Sequence, residues 1–142
     1  MLKLLVTTDG SDNANRVIDY VIKQAGRCAE AVEVHLLNVQ MPLTSLNIKL
    51  FISIDDLNAY YRDEGMVALN IPREKLDAAG IKYEFHIGVG DPAQVIAQYA
   101  EDKGCEQIVM GTRGLGTVSN LVLGSVATKV IHLAKVPVVL VK

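Results

Sequence analysis

Two glycine-containing motifs near the end of the chain have the composition of a phosphate-binding loop. Gly111-Thr112-Arg113-Gly114 follows the apolar run Gln107–Met110, and nine residues later Gly124-Ser125 precedes a segment with helical periodicity. Glycine allows a positive backbone φ and lets a ligand approach the main chain closely. The first amides of a helix have no partner within the helix and attract anions. The two motifs therefore predict an anion site, although their spacing matches neither G-x-x-x-x-G-K-[ST] nor G-x-G-x-x-G.

Asp9 is a second candidate for binding chemistry, because it follows the first apolar run directly in Thr8-Asp9-Gly10-Ser11. One interpretation is a turn residue that helps to begin the next helix. The other is a carboxylate that accepts hydrogen bonds from ribose hydroxyls, or that holds Mg²⁺ or Mn²⁺ against phosphate oxygens. We favour the binding role and keep the turn role as the alternative.

The segments around these motifs have a periodicity that predicts alternating strands and helices. Apolar residues three and four positions apart from Ala14 to Cys28 predict the first helix, with Ser11 as its N-cap. Asp91 and Pro92 provide the N-cap and first residue of a later helix. Strands that alternate with helices form parallel sheets through βαβ crossovers. The predicted strands are Leu2–Thr8, Val32–Val39, Ile81–Ile87, Gln107–Met110 and Val138–Val141.

The second crossover is the least regular part of the pattern. Residues 40–54 show no clear period and predict a long connection, after which a helix extends to Gly80. Pro72 lies within this helix, where its missing N–H and its ring disturb the backbone. We expect either a kink or a fresh helix start at Pro72.

Five short motifs occur in order along the chain: Thr8–Ser11, Gly90–Pro92, Ile108–Gly114, Gly124–Ala127 and Val136–Val139. Together they resemble the universal stress protein family, in particular its nucleotide-binding branch, over nearly all of the 142 residues. The resemblance implies one α/β domain over residues 1–142. Its fold would be a Rossmann-like, doubly wound five-stranded parallel sheet of order 3-2-1-4-5 with helices on both faces. The mostly apolar first and fourth strands suit central positions in that order.

This strand order brings the ends of the first and fourth strands together where the winding of the sheet reverses, which is where such folds bind ligands. The resemblance implies ATP, ADP or AMP as the ligand. It assigns the adenine to Thr7 and the backbone of Val39. It assigns the phosphates to the Ser125 hydroxyl and to the amides of Gly114, Gly124, Ser125 and Val126. The predicted nucleotide-binding residues are Thr7, Asp9, Val39, Met110, Gly111, Arg113, Gly114, Gly124, Ser125 and Val126.

The resemblance implies a regulator or sensor whose nucleotide state affects its shape or partners during stress. No Ser-His-Asp or Cys-His set is identifiable, and the histidines show no metal-ligand spacing. Efficient phosphoryl transfer needs a positioned base or water, a metal clamp and cationic stabilisation. We therefore expect at most slow ATP hydrolysis or autophosphorylation. The alternatives are a slow ATPase or a phosphoryl- or adenylyl-transferring enzyme of the same fold, and a structural stress protein that binds no nucleotide.

Composition limits the expected location and partners. No apolar run approaches the ~20 residues of a membrane span, and the N-terminal apolar stretch is too short for a signal peptide. We expect a cytoplasmic protein with no membrane partner. A net charge of −2 without a long basic run argues against nucleic acid as a partner. Cys28 and Cys105 are expected to be buried thiols, with a disulfide as the alternative.

The last predicted strand suggests how the protein assembles. Val136–Val141 has no charged side chain, and the implied order puts this strand at an edge of the sheet. Exposed strand edges invite pairing with another chain unless charges or other segments protect them. We expect a two-fold homodimer in which the Val136–Val141 segments of two copies face each other, as the resemblance also implies.

Overall fold

The computed structural model describes residues 1–43, 52–113 and 123–142, and in this part of the chain five strands alternate with helices. The strands are β1 (Leu2–Thr7), β2 (Val32–Gln40), β3 (Lys82–Val89), β4 (Gln107–Gly111) and β5 (Val138–Val141). The helices are α1 (Asp12–Ala25), α2 (Ile54–Ala78), α3 (Pro92–Asp102) and α4 (Ser125–Leu133). Each predicted strand is present, with small shifts of its ends.

The strands form one parallel sheet in the predicted order, β3-β2-β1-β4-β5. β1 lies in the middle, so Leu5 is beside His35 of β2 on one side and Ile108 of β4 on the other. Leu5 and Val6 point to opposite faces of the sheet, and both are fully buried. The central strand is thus covered on both faces, which confirms the doubly wound fold.

Separate hydrophobic cores fill the two faces of the sheet. The core under α1 and α2 contains Leu4, Val6, Val17, Ile18, Leu69 and Leu76. The core under α3 and α4 contains Leu5, Leu37, Ile96, Ile108, Ala127 and Val130. The two helices that matter most for the site, α1 and α4, belong to different cores, so they lie on opposite faces of the sheet although both begin at its carboxyl end.

Side-chain caps fix the starts of two helices, as predicted. Ser11 Oγ accepts a hydrogen bond from the Ala14 N–H at 3.1 Å and begins α1. Asp91 Oδ2 accepts one from the Gln94 N–H at 3.2 Å, and Pro92 is the first residue of α3. Both caps lie at the carboxyl end of the sheet, so they set where each crossover leaves it.

The cysteines differ in exposure. α1 ends at Ala25, earlier than predicted, and Cys28 lies in the following turn, where its N–H donates to the Gln24 carbonyl at 3.1 Å. Cys28 is exposed, so the expectation that it is buried is wrong, whereas Cys105 is buried, and both are free thiols. Burial raises the pKa of the Cys105 thiol to about 11.

α2 continues through Pro72, so a fresh helix start there is wrong. Proline has no N–H to donate to the carbonyl four residues earlier, which belongs to Ala68. The Thr8 hydroxyl donates to that carbonyl instead, at 3.4 Å. The turn after β1 therefore supplies the partner that the helix lacks, and it holds α2 against the carboxyl end of β1.

The predicted connection over residues 40–54 lies partly outside the described residues. β2 continues to Gln40, and Ser53 begins α2 by accepting a hydrogen bond from the Asp56 N–H at 3.1 Å.

No helix in the described part of the chain has the length and apolarity needed to cross a bilayer.

Candidate functional site

A crevice opens at the carboxyl end of the sheet, between the ends of β1 and β4. α1, which follows β1, packs on one face of the sheet, whereas α4, whose start lies beside the end of β4, packs on the other. The segments diverge there, and this is where doubly wound sheets bind ligands. The crevice has a volume of about 360 Å³, within the ~300–1,000 Å³ range of small-molecule sites.

The structure brings the predicted site residues together in this crevice. Gly114 lies outside the described residues. All the others line the crevice, although they come from β1, β2, β4 and the segments that follow them: Thr7, Asp9, Val39, Met110, Gly111, Arg113, Gly124, Ser125 and Val126.

The N-terminus of α4 forms the crevice wall nearest β4. Gly124 is its N-cap residue, and no side chain in the described part of the chain makes a capping hydrogen bond. The Thr128 N–H donates to the Gly124 carbonyl at 3.1 Å, so Ser125 is the first helical residue. The first amides of such a helix carry the positive end of its dipole. This wall therefore suits an anionic group.

Gly124 has an extended conformation, with φ of −72° and ψ of 165°. Its N–H donates to the Thr112 carbonyl at 2.6 Å, which ties the start of α4 to the end of β4. A Cβ built on Gly124 would lie 3.4 Å from that carbonyl oxygen, an ordinary contact distance. Gly124 therefore does not rely on a positive φ. Packing of the described residues also leaves room for a methyl group, so the space that this glycine keeps open is space in the crevice.

Asn13, which was not predicted, joins three parts of the site. Its Oδ1 accepts the Arg113 N–H at 3.0 Å, and its Nδ2 donates to the Val141 carbonyl at 3.0 Å. A Cβ on Gly111 would lie 2.9 Å from Asn13 Cγ, so the close approach of this amide requires glycine. Asn13 is buried and lies four residues before Val17, on the apolar stripe of α1. An amide on that stripe is the signal that could have identified it.

The turn after β1 has two supports. Asp9 Oδ1 accepts the Ser11 N–H at 2.9 Å, so Asp9 has the turn role that was kept as the alternative, and the carboxylate also lines the crevice. The buried Asn38 on β2 donates from Nδ2 to the Thr8 carbonyl at 2.8 Å. This second amide was also not predicted, and it fixes the end of β1 to the neighbouring strand.

The crevice walls differ in polarity on the two sides of β1. The β2 side is largely apolar and includes three residues that were not predicted, Met41, Pro92 and Ile96. On the β4 side lie the amides at the start of α4 and the hydroxyl of Thr112, which is buried and has no hydrogen-bond partner among the described residues. This arrangement suits a ligand with an apolar ring system and an anionic group.

The whole chain matches one protein family. The model of the Universal stress protein family matches residues 1–142. Universal stress protein YxiE of Bacillus subtilis is 31% identical over 147 residues, which cover 99% of this chain and 98% of the relative. The chain belongs to the universal stress protein family, as its motifs predicted.

Solved structures share the fold over the whole chain. The structure of MJ0577, a protein of Methanocaldococcus jannaschii, has a TM-score of 0.85 and 30% identity, covering 99% of this chain and 95% of that one. The universal stress protein from Archaeoglobus fulgidus in complex with dAMP has a TM-score of 0.63 and 25% identity, covering 100% of this chain and 98% of that one.

Replacement of Asn13 tests its role in joining the site. Asn13→Leu has a similar volume but removes the acceptor of the Arg113 N–H and one of the two donors to the Val141 carbonyl, which keeps the Thr112 N–H. We expect the free energy of unfolding in urea to fall by about 1–3 kcal/mol, the cost of leaving one buried polar group unsatisfied.

The matched control is Asn15→Ala in the same helix, because Asn15 Oδ1 has no hydrogen-bond partner in the described part of the chain. It should change the free energy of unfolding far less. Equal losses for the two variants would contradict the role given to Asn13.

Proposed function

We propose that this universal stress protein binds ATP, or ADP or AMP, in the crevice between β1 and β4, and acts as a nucleotide-dependent regulator in the cytoplasm. The observation that carries the proposal is the glycine-capped N-terminus of α4, at the switch point of the sheet and across from an apolar wall. Helix N-termini bind phosphate, and an apolar wall suits a purine. The 142 residues would form a single domain around this site.

The phosphate groups would lie against the start of α4. The amides of Ser125 and Val126 would donate to phosphate oxygens, and the Ser125 hydroxyl would add another donor. The Gly124 N–H already donates to the Thr112 carbonyl, so Gly124 would contribute open space for the phosphate rather than an amide. Arg113, which lines the crevice beside them, would supply positive charge. Gly114 keeps its predicted role as a further amide donor.

The nucleoside would lie on the β2 side of the crevice. Its adenine would contact Thr7 and the backbone of Val39, and the side chains of Met41 and Ile96 would cover the ring. Asp9 would accept hydrogen bonds from the ribose hydroxyls. The family resemblance implies these positions, and the polarity of the two walls supports them, because the apolar side chains and the helix amides lie on opposite sides of β1.

Asp9 would also hold the Mg²⁺ or Mn²⁺ that accompanies a nucleotide. Mg²⁺ is usually bound by one or two carboxylates together with phosphate oxygens and water. A single half-buried carboxylate on the crevice wall fits that pattern. When bound, the ion would neutralise part of the phosphate charge.

A solved relative supports the choice of ligand class. The universal stress protein of Archaeoglobus fulgidus was solved with dAMP, an adenine nucleotide, and its fold matches this chain along its whole length. The proposal extends that ligand class to this chain because the crevice has an amide-lined side and an apolar side.

Regulation fits the crevice better than rapid catalysis. Asp9 is the one carboxylate among the described residues that line it, and no histidine is among them. One oxygen of Asp9 already accepts the Ser11 N–H at 2.9 Å. Rapid phosphoryl transfer needs a positioned base or water in addition to a metal and a cation. The proposal therefore centres on binding, with at most slow hydrolysis.

We also propose that two copies of the chain pair through β5. Among the described residues β5 pairs with β4 alone, and its four side chains are half-buried. Ile108 N–H donates to the Pro137 carbonyl at 3.0 Å, and Thr112 N–H donates to the Val141 carbonyl at 3.0 Å. Alternate residues of a parallel strand direct their backbone N–H and C=O groups to opposite sides. Since Pro137 and Val141 bond to β4, the backbone groups of Val138 and Leu140 point away from β4. They would pair with the same strand of a second copy across a two-fold axis.

Replacement of Gly124 tests the nucleotide proposal. Gly124→Ala places a methyl group where the phosphate approaches, and the described residues leave room for it. We expect calorimetric titration with ATP and Mg²⁺ to show at least a tenfold loss of affinity, or about 1.4 kcal/mol.

Gly26→Ala is the matched control, because Gly26 has a φ of −68°, makes only ordinary contacts at its Cβ position and lies at the end of α1, outside the crevice. It should bind ATP as the wild type does. Absence of saturable adenine-nucleotide binding by the wild type would contradict the proposal, as would unchanged affinity in Gly124→Ala.

Replacement of Leu140 tests the pairing of β5. Leu140→Pro removes an outward N–H, whereas Leu140→Ala shortens the side chain but keeps that N–H. Light scattering at tens of micromolar should give a dimer mass for the wild type and Leu140→Ala, and a monomer mass for Leu140→Pro. A monomeric wild type, or a dimeric Leu140→Pro variant, would exclude this mode of assembly.

A further inference from the structure

Two histidines and a glutamate converge near the β3 edge of the sheet, away from the residues that line the crevice. In the parallel register His35 of β2 lies beside Glu84 of β3, and Leu37 lies beside His86. Residues two apart on a strand share a face, so His35, Glu84 and His86 point to the same face. The His86 ring packs against that of Tyr99 on α3, with centroids 5.5 Å apart.

Three ligand atoms of this cluster form a compact triangle. His35 Nδ1 lies 3.0 Å from His86 Nε2 and 3.7 Å from Glu84 Oε2. His86 Nε2 lies 3.9 Å from the same carboxylate oxygen. Around a tetrahedral Zn²⁺ with ligand bonds of about 2.0–2.2 Å, ligand atoms lie about 3.3–3.6 Å apart. The observed separations bracket that range, so small side-chain movements bring all three atoms to one ion.

We propose that His35, Glu84 and His86 form a binding site for a divalent transition metal, with Zn²⁺ as the best match. Imidazole nitrogen suits Zn²⁺, Cu²⁺ and Ni²⁺, whereas Mg²⁺ prefers oxygen ligands. The site is therefore chemically distinct from the carboxylate of Asp9. Three protein ligands leave a fourth tetrahedral position for water, as in zinc sites that keep an open position.

The surroundings hold the two rings in place. The His35 side chain is 6% exposed, and its ring stacks on that of His86 with centroids 5.3 Å apart. The other nitrogen of His35, Nε2, lies 3.9 Å from Oε1 of Glu33, whose side chain is 12% exposed. In metal sites, a carboxylate that accepts a hydrogen bond from the far nitrogen of a ligating histidine orients the ring. A movement of about 1 Å would bring Glu33 within the ~2.7–3.2 Å of such a bond, so Glu33 is placed to support His35 without contacting the ion.

The cluster is accessible from one side. The Glu84 side chain is 59% exposed, so an ion can reach the buried nitrogen of His35 past this carboxylate. A bound ion would link the edge strand β3 to β2.

Zinc titration of the full-length, tag-free protein without nucleotide tests this site. After chelation removes metals, calorimetry should show one Zn²⁺ bound per chain. The melting temperature should rise with Zn²⁺ but not with the same concentration of Mg²⁺. Glu84→Gln and His86→Gln should each weaken Zn²⁺ binding at least tenfold, and Glu33→Gln should weaken it by about 10–100-fold.

His132→Gln and Cys28→Ser are the matched controls, because each removes an exposed donor outside the cluster, and both should bind Zn²⁺ as the wild type does. The exposed position of Glu84 makes Glu84→Gln a safe variant for the fold, and the melting temperature of each metal-free variant checks that it is folded. Failure of the wild type to bind Zn²⁺ stoichiometrically would overturn the proposal and leave a hydrogen-bonded histidine pair. Retained binding in both Glu84→Gln and His86→Gln would also overturn it.

Discussion

β1 has neighbours on both edges and helices over both faces, and this constraint organises the rest of the molecule. Leu5 and Val6 are fully buried in different cores, so the strand cannot shift without opening both. The helix after β1 covers one face, and the helix that begins beside the end of β4 covers the other. A gap between the ends of these two strands is a consequence of that winding, and the gap is the crevice proposed to hold the nucleotide.

Buried amides fix the edges of this gap. Asn38 holds the Thr8 carbonyl against β2, and Asn13 holds both the Arg113 N–H and the Val141 carbonyl. Each amide bonds main-chain atoms at or just beyond the ends of strands, so the strand ends keep their separation without a ligand. The proposed phosphate contacts at the start of α4 would therefore need little rearrangement of the described residues, which favours binding.

The sequence predicted those features that depend on local pattern or on motif order. Apolar periodicity located the strands and helices, and Ser11 and Asp91 were correctly identified as caps because capping uses a short side chain at a fixed offset. The resemblance supplied the strand order, and every predicted site residue that the structure describes lines one crevice. The family assignment confirms the resemblance.

The features that were missed depend on contacts between distant segments. Pro72 does not end α2, since a hydroxyl from the turn after β1 meets the carbonyl that proline leaves without its donor. Asn13 bonds with residues at the far end of the chain, and no local pattern identifies such partners. The cluster around His35 arises because the register places β2 beside β3, although the residues show no metal-ligand spacing along the chain.

The most direct test of the central claim is a nuclear magnetic resonance titration of the ¹⁵N-labelled protein with ATP and Mg²⁺, followed at the backbone amides. The account predicts saturable shifts that are largest at Gly124, Ser125 and Val126, with further shifts at Asp9 and Val39. Amides of β3, on the far edge of the sheet, should move little. Absence of saturable shifts, or shifts centred on β3 instead of the start of α4, would contradict the account.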